Sequence, residues 1–184
     1  IGLLLDYLDA AVSDGELEAL FTTAADRRAP LFIHIRRGIA GDPSGLIEVI
    51  ELAKRTGASI HICHLSASAM GGIDNFLELV DEALVAGVDI SAESYPYNAG
   101  STSIGADVFN RDWKSIFGIT YSDVQLAETG EFFTKARWDE VRAEDPGATI
   151  IHHYGREDWT QRAMVSSAMM IGSDAMPIFS KKIK

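Results

Sequence analysis

Cysteine is almost absent: Cys63 stands alone among 184 residues. One thiol excludes an internal disulfide and fits a reducing, cytoplasmic compartment. No apolar run approaches the ~18 residues that a membrane span needs. Basic charge is also scarce, with 16 Lys and Arg against 27 Asp and Glu, for a net charge of −11. Phosphate backbones and anionic bilayers repel such a surface, which excludes nucleic acid and membrane as expected partners. Short-period repeats and low-complexity tracts are missing. So are a G-x-S-x-G nucleophile elbow, a G-x-G-x-x-G turn and a Walker lysine.

What is present is a core-forming composition: 47% hydrophobic, 23% charged and 9% aromatic. A chain this apolar can bury enough surface to offset its ordering entropy, so it folds. Its size fits one unit, taken as residues 1–178 with a basic tail at 179–184. The chain opens on Ile1-Gly2-Leu3-Leu4-Leu5, without an initiator methionine or a basic stretch ahead of an apolar one. It closes on Ser180-Lys181-Lys182-Ile183-Lys184. Both ends are expected to be cuts through a longer protein.

Helix and strand signals alternate. Ser13 and Glu16 form a capping box, with Val12 able to staple against Leu17, and predict a helix to about Arg28. Leu31–Ile35 is a short apolar strand. Pro43 at the first helical position opens a helix that carries Leu46, Ile47, Val49, Ile50 and Ala53 on one face and ends at Gly57. Strands are predicted at 59–64, 88–92, 148–152 and 168–172, and helices at 73–86, 122–128, 130–142 and 157–166; residues 95–117 read as irregular. Alternating strands and helices mean parallel βαβ units and an α/β class. Either a doubly wound open sheet or part of a (β/α)8 TIM barrel fits. Five strands fall short of eight, so a barrel would be partial.

The polar residues at the strand ends carry the chemistry. His34, His64, Glu93 and Asp174 all stand at C-terminal strand ends, the edge where parallel α/β folds bind ligands. Alternation places His64 with Ile60 and Ile62, and His61 with Cys63 on the opposite face. Neighbouring strands lie about 4.8 Å apart. Imidazoles on two strand tips can therefore close on one ion through bonds of about 2.0–2.1 Å. A nearby carboxylate can bind the ion or take a proton from water. The plainer alternative is a set of hydrogen-bonded polar strand ends. Gly38–Gly45 lies where a phosphate loop would, but Asp42 puts an anion in that place. Of His152 and His153, adjacent residues on opposite faces, at most one can contact a substrate. Cys63 reads as a small core residue, and Trp113, Met169 and Met170 read as packing.

Four motifs, in order over roughly residues 12–178, resemble the D-aminoacylase group, the N-acyl-D-amino-acid deacylases of the amidohydrolase superfamily. They are Phe32-Ile33-His34-Ile35-Arg36, Ile62-Cys63-His64, Glu93-Ser94-Tyr95-Pro96-Tyr97-Asn98-Ala99-Gly100-Ser101-Thr102 and Met170-Ile171-Gly172-Ser173-Asp174-Ala175-Met176-Pro177. The resemblance implies roughly the second half of a metal-dependent hydrolase barrel that cleaves a C–N amide bond. It implies one or two zinc ions, or another divalent metal. His34 and His64 would be ligands, and Asp174 both a ligand and the proton shuttle. Tyr95, Ser101, Ser66 and His152 would face the small-molecule amide substrate.

Two departures stand out. Leu65-Ser66 replaces the family's His-Lys, so a cation for the substrate carboxylate is lost. The first-strand His-x-His and the second-strand bridging ligand have no counterpart. The remaining strands are therefore expected from the same chain or a partner, and a homo-oligomer is a further option. Rival readings are a cyclic-amide hydrolase of the dihydroorotase or hydantoinase type, a non-catalytic half-barrel assembly module and, more distantly, a nucleotide-binding open sheet.

Overall fold

The computed structural model describes residues 1–7, 12–36 and 41–175. The predicted basic tail, residues 38–40 of the Gly38–Gly45 loop and the Met176-Pro177 end of the last motif lie outside these residues. A short strand β1 (Gly2–Leu4) leads through a 3-10 turn to α1 (Asp14–Arg27) and β2 (Leu31–His34). Then follow α2 (Ser44–Thr56), β3 (Ile60–Ile62), α3 (Leu65–Ala69), α4 (Ile73–Val85) and β4 (Ile90–Ser94). An inserted segment holds β5 (Gly100–Ser103), α5 (Trp113–Phe117), β6 (Val124–Leu126), α6 (Lys135–Glu144) and β7 (Thr149–His152). The chain returns through α7 (Glu157–Val165) to β8 (Met169–Ile171).

Local signals explain most boundaries. The Ser13 hydroxyl accepts from the Glu16 N–H at 3.3 Å and starts α1. Asp42 accepts from the Ser44 N–H at 2.9 Å and starts α2, which ends on Gly57 in the left-handed region that favours glycine.

Five strands form a parallel sheet in the order β1-β2-β3-β4-β8. Its register aligns Leu31, Ile60 and Ile90, and then Ile33, Ile62 and Ala92. All six are buried in one cluster with Leu17 and Phe21 of α1, Leu46 and Val49 of α2, Phe76 and Val80 of α4 and Ala163 of α7. Fully burying each such Leu, Ile, Val or Phe is worth about 1.5–3 kcal/mol. The alternate positions Phe32, His61, Cys63, Ser91, Glu93 and Met170 share the other face. The helices thus cover one face only, which excludes the doubly wound sheet and leaves an arc of a (β/α) barrel. On the uncovered face Leu4, Phe32 and Met170 are 58%, 48% and 52% exposed. Met170 is therefore not core packing, and half-buried Cys63 is not a core residue either.

The strand predicted at 148–152 exists but does not join this sheet. As β7 it is the centre of a separate antiparallel sheet, β5-β7-β6. The fifth strand of the main sheet is instead β1. No helix forms at 122–128: a Thr120–Asp123 capping box closes a 3-10 turn, and Val124 and Leu126 then alternate inward as β6. The helix predicted at 130–142 starts late, where the Thr134 hydroxyl caps α6. Trp113 packs as expected, stacked on Trp138 at 5.2 Å within an aromatic core that includes Phe109 and Phe117. Among the described residues no helix is long and apolar enough to cross a membrane.

Candidate metal centre and substrate cavity

His34 is the last residue of β2 and points to the uncovered face, as Phe32 does two residues earlier. His64 follows β3 and by simple alternation would point toward the helices. Its backbone instead adopts the left-handed conformation, φ 36° and ψ 52°, and caps α3. That turn brings its Nε2 to 2.9 Å from His34 Nδ1, with the ring centroids 4.6 Å apart. His34 is 8% exposed, and its Nε2 makes no hydrogen bond among the described residues. Asp6 Oδ2 lies 3.7 Å from that nitrogen. Two adjacent imidazoles, with a buried ring nitrogen lacking a hydrogen bond and carboxylates at hand, are a donor set that suits zinc.

Asp174 also sits at positive φ, 47°, just past β8. Its carboxyl is accessible, yet the protein packed around it and the negative charge of Glu93 hold its pKa above the ordinary aspartate value. His34 pulls the other way. A carboxyl kept ready to take up a proton is suited to proton transfer.

One cavity of about 490 Å³ is lined by His34, His64, Asp174, Tyr95, Ser101 and His152 together. Tyr95 is buried and its hydroxyl lies 2.9 Å from that of Tyr154. His152 is buried against Phe117 at 4.8 Å and Tyr154 at 4.9 Å, whereas His153 is exposed and bonds Gln125 at 2.7 Å. Gly100 permits this arrangement, because a Cβ there would lie 2.8 Å from His152 Nε2. Ser66 does not line the cavity; its hydroxyl bonds Ser94 at 2.6 Å. Among the described residues of the Gly38–Gly45 segment, the first N–H of α2 already serves the Asp42 carboxylate, which occupies the place an anion would take.

Asp6 is a cavity residue that sequence reasoning missed. It is 5% exposed, follows β1, and pairs with Arg111 Nη2 at 2.9 Å, tying the inserted segment to the mouth of the sheet. A polar residue after the apolar Leu3-Leu4-Leu5 run is the same signal that marked His34 and Asp174. The strand preceding it is only three residues long and gives no periodicity to read.

The fold and the cluster at its strand ends together define an arc of a (β/α) barrel with histidines and carboxylates gathered at its mouth. No family model matches the chain. It is 30% identical to the N-acyl-D-glutamate deacylase of Alcaligenes xylosoxydans xylosoxydans, across 94% of this chain and 37% of that protein. In structure it is similar to the N-acyl-D-glutamate deacylase of Bordetella bronchiseptica, solved with zinc and a phosphonate mimic of the tetrahedral intermediate. That match has a TM-score of 0.71 and 24% identity over 89% of this chain and 36% of that one. A D-aminoacylase described as defining a novel subset of amidohydrolases matches at 0.66 and 20% identity, over the same shares. The resemblance read from the four motifs is found again in the sequence of the Alcaligenes relative, and the solved structures share the fold. The chain spans a little over a third of the length of these relatives.

Proposed function

We propose that this chain supplies five strands of a zinc-dependent amidohydrolase that cleaves the amide of an N-acyl-D-amino acid. The observation that carries the reading is the convergence of His34, His64 and Asp174 on one cavity at the C-terminal edge of a parallel sheet. The similarity to N-acyl-D-glutamate deacylases supports the substrate class. The uncovered face, with Leu4, Phe32 and Met170 exposed, is what the remaining barrel strands would cover.

His34 and His64, with Asp174, would hold the zinc. When bound, the ion polarises an amide carbonyl and lowers the pKa of water. Asp174 would take the proton from the attacking water and deliver it to the leaving nitrogen. Tyr95 and Ser101 border the cavity where a substrate carboxylate would lie. His152, fixed by Phe117 and Tyr154, borders the same space. With Ser66 bonded to Ser94 and no lysine beside it, hydroxyls rather than a cation would receive that carboxylate.

Metal content tests this directly. The His34→Ala/His64→Ala variant should hold about one zinc per chain fewer than the parent, a single ion being what two imidazoles and a carboxylate can share. Equal zinc in both proteins would refute it. On its own the chain is expected to be weakly active or inactive toward N-acyl-D-glutamate, because the donors of the earlier strands are not in it.

A further inference from the structure

The uncovered face of the sheet carries a second group of donors that the hydrolase reading does not use. His61 on β3, Cys63 just after it and Glu93 on β4 present ligand atoms that all lie within 4.8 Å of one another. Their positions follow from the sheet. His61 pairs with Ser91 across the parallel register, so Cys63 and Glu93, each two residues on, are neighbours on the same face. The Cys63 N–H still donates to the Ile33 carbonyl at 3.0 Å, which keeps Cys63 in the plane of the sheet.

The geometry points to a second metal site built from His61 Nε2, Cys63 Sγ and the Glu93 carboxylate, suited to zinc. His61 is buried and its ring is already oriented: Nδ1 lies 2.8 Å from Ser91 Oγ, and Nε2 lies 3.6 Å from Glu93 Oε2. When the Ser91 oxygen accepts the Nδ1 proton, Nε2 is left as the lone-pair nitrogen facing the other two donors. This is how outer hydrogen bonds set the tautomer of metal-binding histidines. Gly172 leaves room for the carboxylate, since a Cβ there would come within 2.5 Å of Glu93 Oε2. In this mixed set the thiolate and imidazole favour zinc over magnesium or calcium, with the carboxylate as a third ligand and a fourth position left open. On binding, the Cys63 proton goes to solvent and the thiolate bonds the ion.

Cobalt(II) is the probe, because the thiolate distinguishes this site from the imidazole pair, which contains no sulfur. Cobalt added to the purified chain should give a near-ultraviolet thiolate-to-cobalt charge-transfer band. The band should persist in His34→Ala/His64→Ala and vanish in Cys63→Ser. Ser91→Ala should weaken the cobalt affinity by roughly 10–100-fold, as loss of a ligand's supporting bond does elsewhere. A measurement on the parent chain alone, which needs no variant to fold, is protection of Cys63 from alkylation by stoichiometric zinc. Absence of the band at saturating cobalt, its survival in Cys63→Ser, its loss in His34→Ala/His64→Ala or an unprotected thiol would each overturn the proposal. Loss in the double-histidine variant would assign Cys63 to the first site instead.

Discussion

The left-handed backbone at His64 makes a prediction whose sign is unusual. At an ordinary strand or helix position, glycine is worse than alanine by roughly 0.5–1 kcal/mol, because it has more chain entropy to lose. At His64, with φ 36° and ψ 52°, a Cβ crowds its own backbone, and the left-handed conformation costs about 1–2 kcal/mol for any residue but glycine. Setting that against an unfolded-state cost for glycine of about 0.4–1 kcal/mol leaves His64→Gly ahead of His64→Ala by about 1 kcal/mol. Both variants lose the same contact to His34, so their difference isolates the backbone. With a urea slope of about 2 kcal/mol/M, the glycine midpoint should lie about 0.5 M higher. Metal must be chelated throughout, since an ion held by His34 and His64 would stabilise the parent but neither variant. A midpoint equal to or below that of alanine would refute the left-handed turn. With it would go the explanation of how a residue of helix-side parity reaches His34.

Other expectations follow from single contacts. Gly100→Ala forces a Cβ to within 2.8 Å of His152 Nε2 and 3.0 Å of the Tyr154 ring. It should cost about 1–3 kcal/mol in chemical denaturation, as overpacking does. Arg111→Met leaves Asp6 buried without its 2.9 Å ion pair and should cost about 1–3 kcal/mol, read the same way. The Cys63 thiol is pushed up to about 11, first by burial and then by the charges of Glu93 and Asp174. In metal-free protein it should therefore react slowly with a thiol reagent at neutral pH, faster as the pH rises, and faster in Glu93→Gln. Asp174 has a raised pKa, so its neutral form is the one the fold favours. Its stabilising contribution is complete below the ordinary aspartate value and is lost as the pH climbs through the raised one. Chelated Asp174→Asn should accordingly gain stability relative to the parent as the pH rises across that window, read from paired urea titrations.

The helix-side half of the fold was legible because its signals are local and repeated. Leu31, Ile33 and Ile35 alternate, as do Ile60 and Ile62. Ser13, Gly57 and the amphipathic run from Leu46 mark helix ends and faces within a few residues. The inserted sheet was not legible, because β5 is Gly100-Ser101-Thr102-Ser103, with no apolar alternation, and is held by its pairing with β7. In the site, His34 and Asp174 obeyed the strand-end rule. Asp6 and Arg111 were hidden because they meet across 105 residues of chain. Alternation alone would have sent His64 to the helices; what reverses it is a backbone angle that sequence does not announce.

Four described non-glycine residues have positive φ, and two of them are His64 and Asp174. Arg28 is another, but it ends α1, where a left-handed residue is ordinary and closes the last turn with bonds to Ala24 and Ala25. No such helix-closing geometry accounts for His64 or Asp174, each of which lies within three residues of the end of a parallel strand. A left-handed side chain persists only where its surroundings over-determine it. For His64 they do: fully buried Ile60 and Ile62 fix the strand before it, and buried Leu65 opens the short helix after it. The strain therefore falls where two strand ends must turn inward to face a common cavity. Relieving it with a glycine would keep the turn and lose the ligand, which separates what the backbone requires at this position from what the chemistry requires.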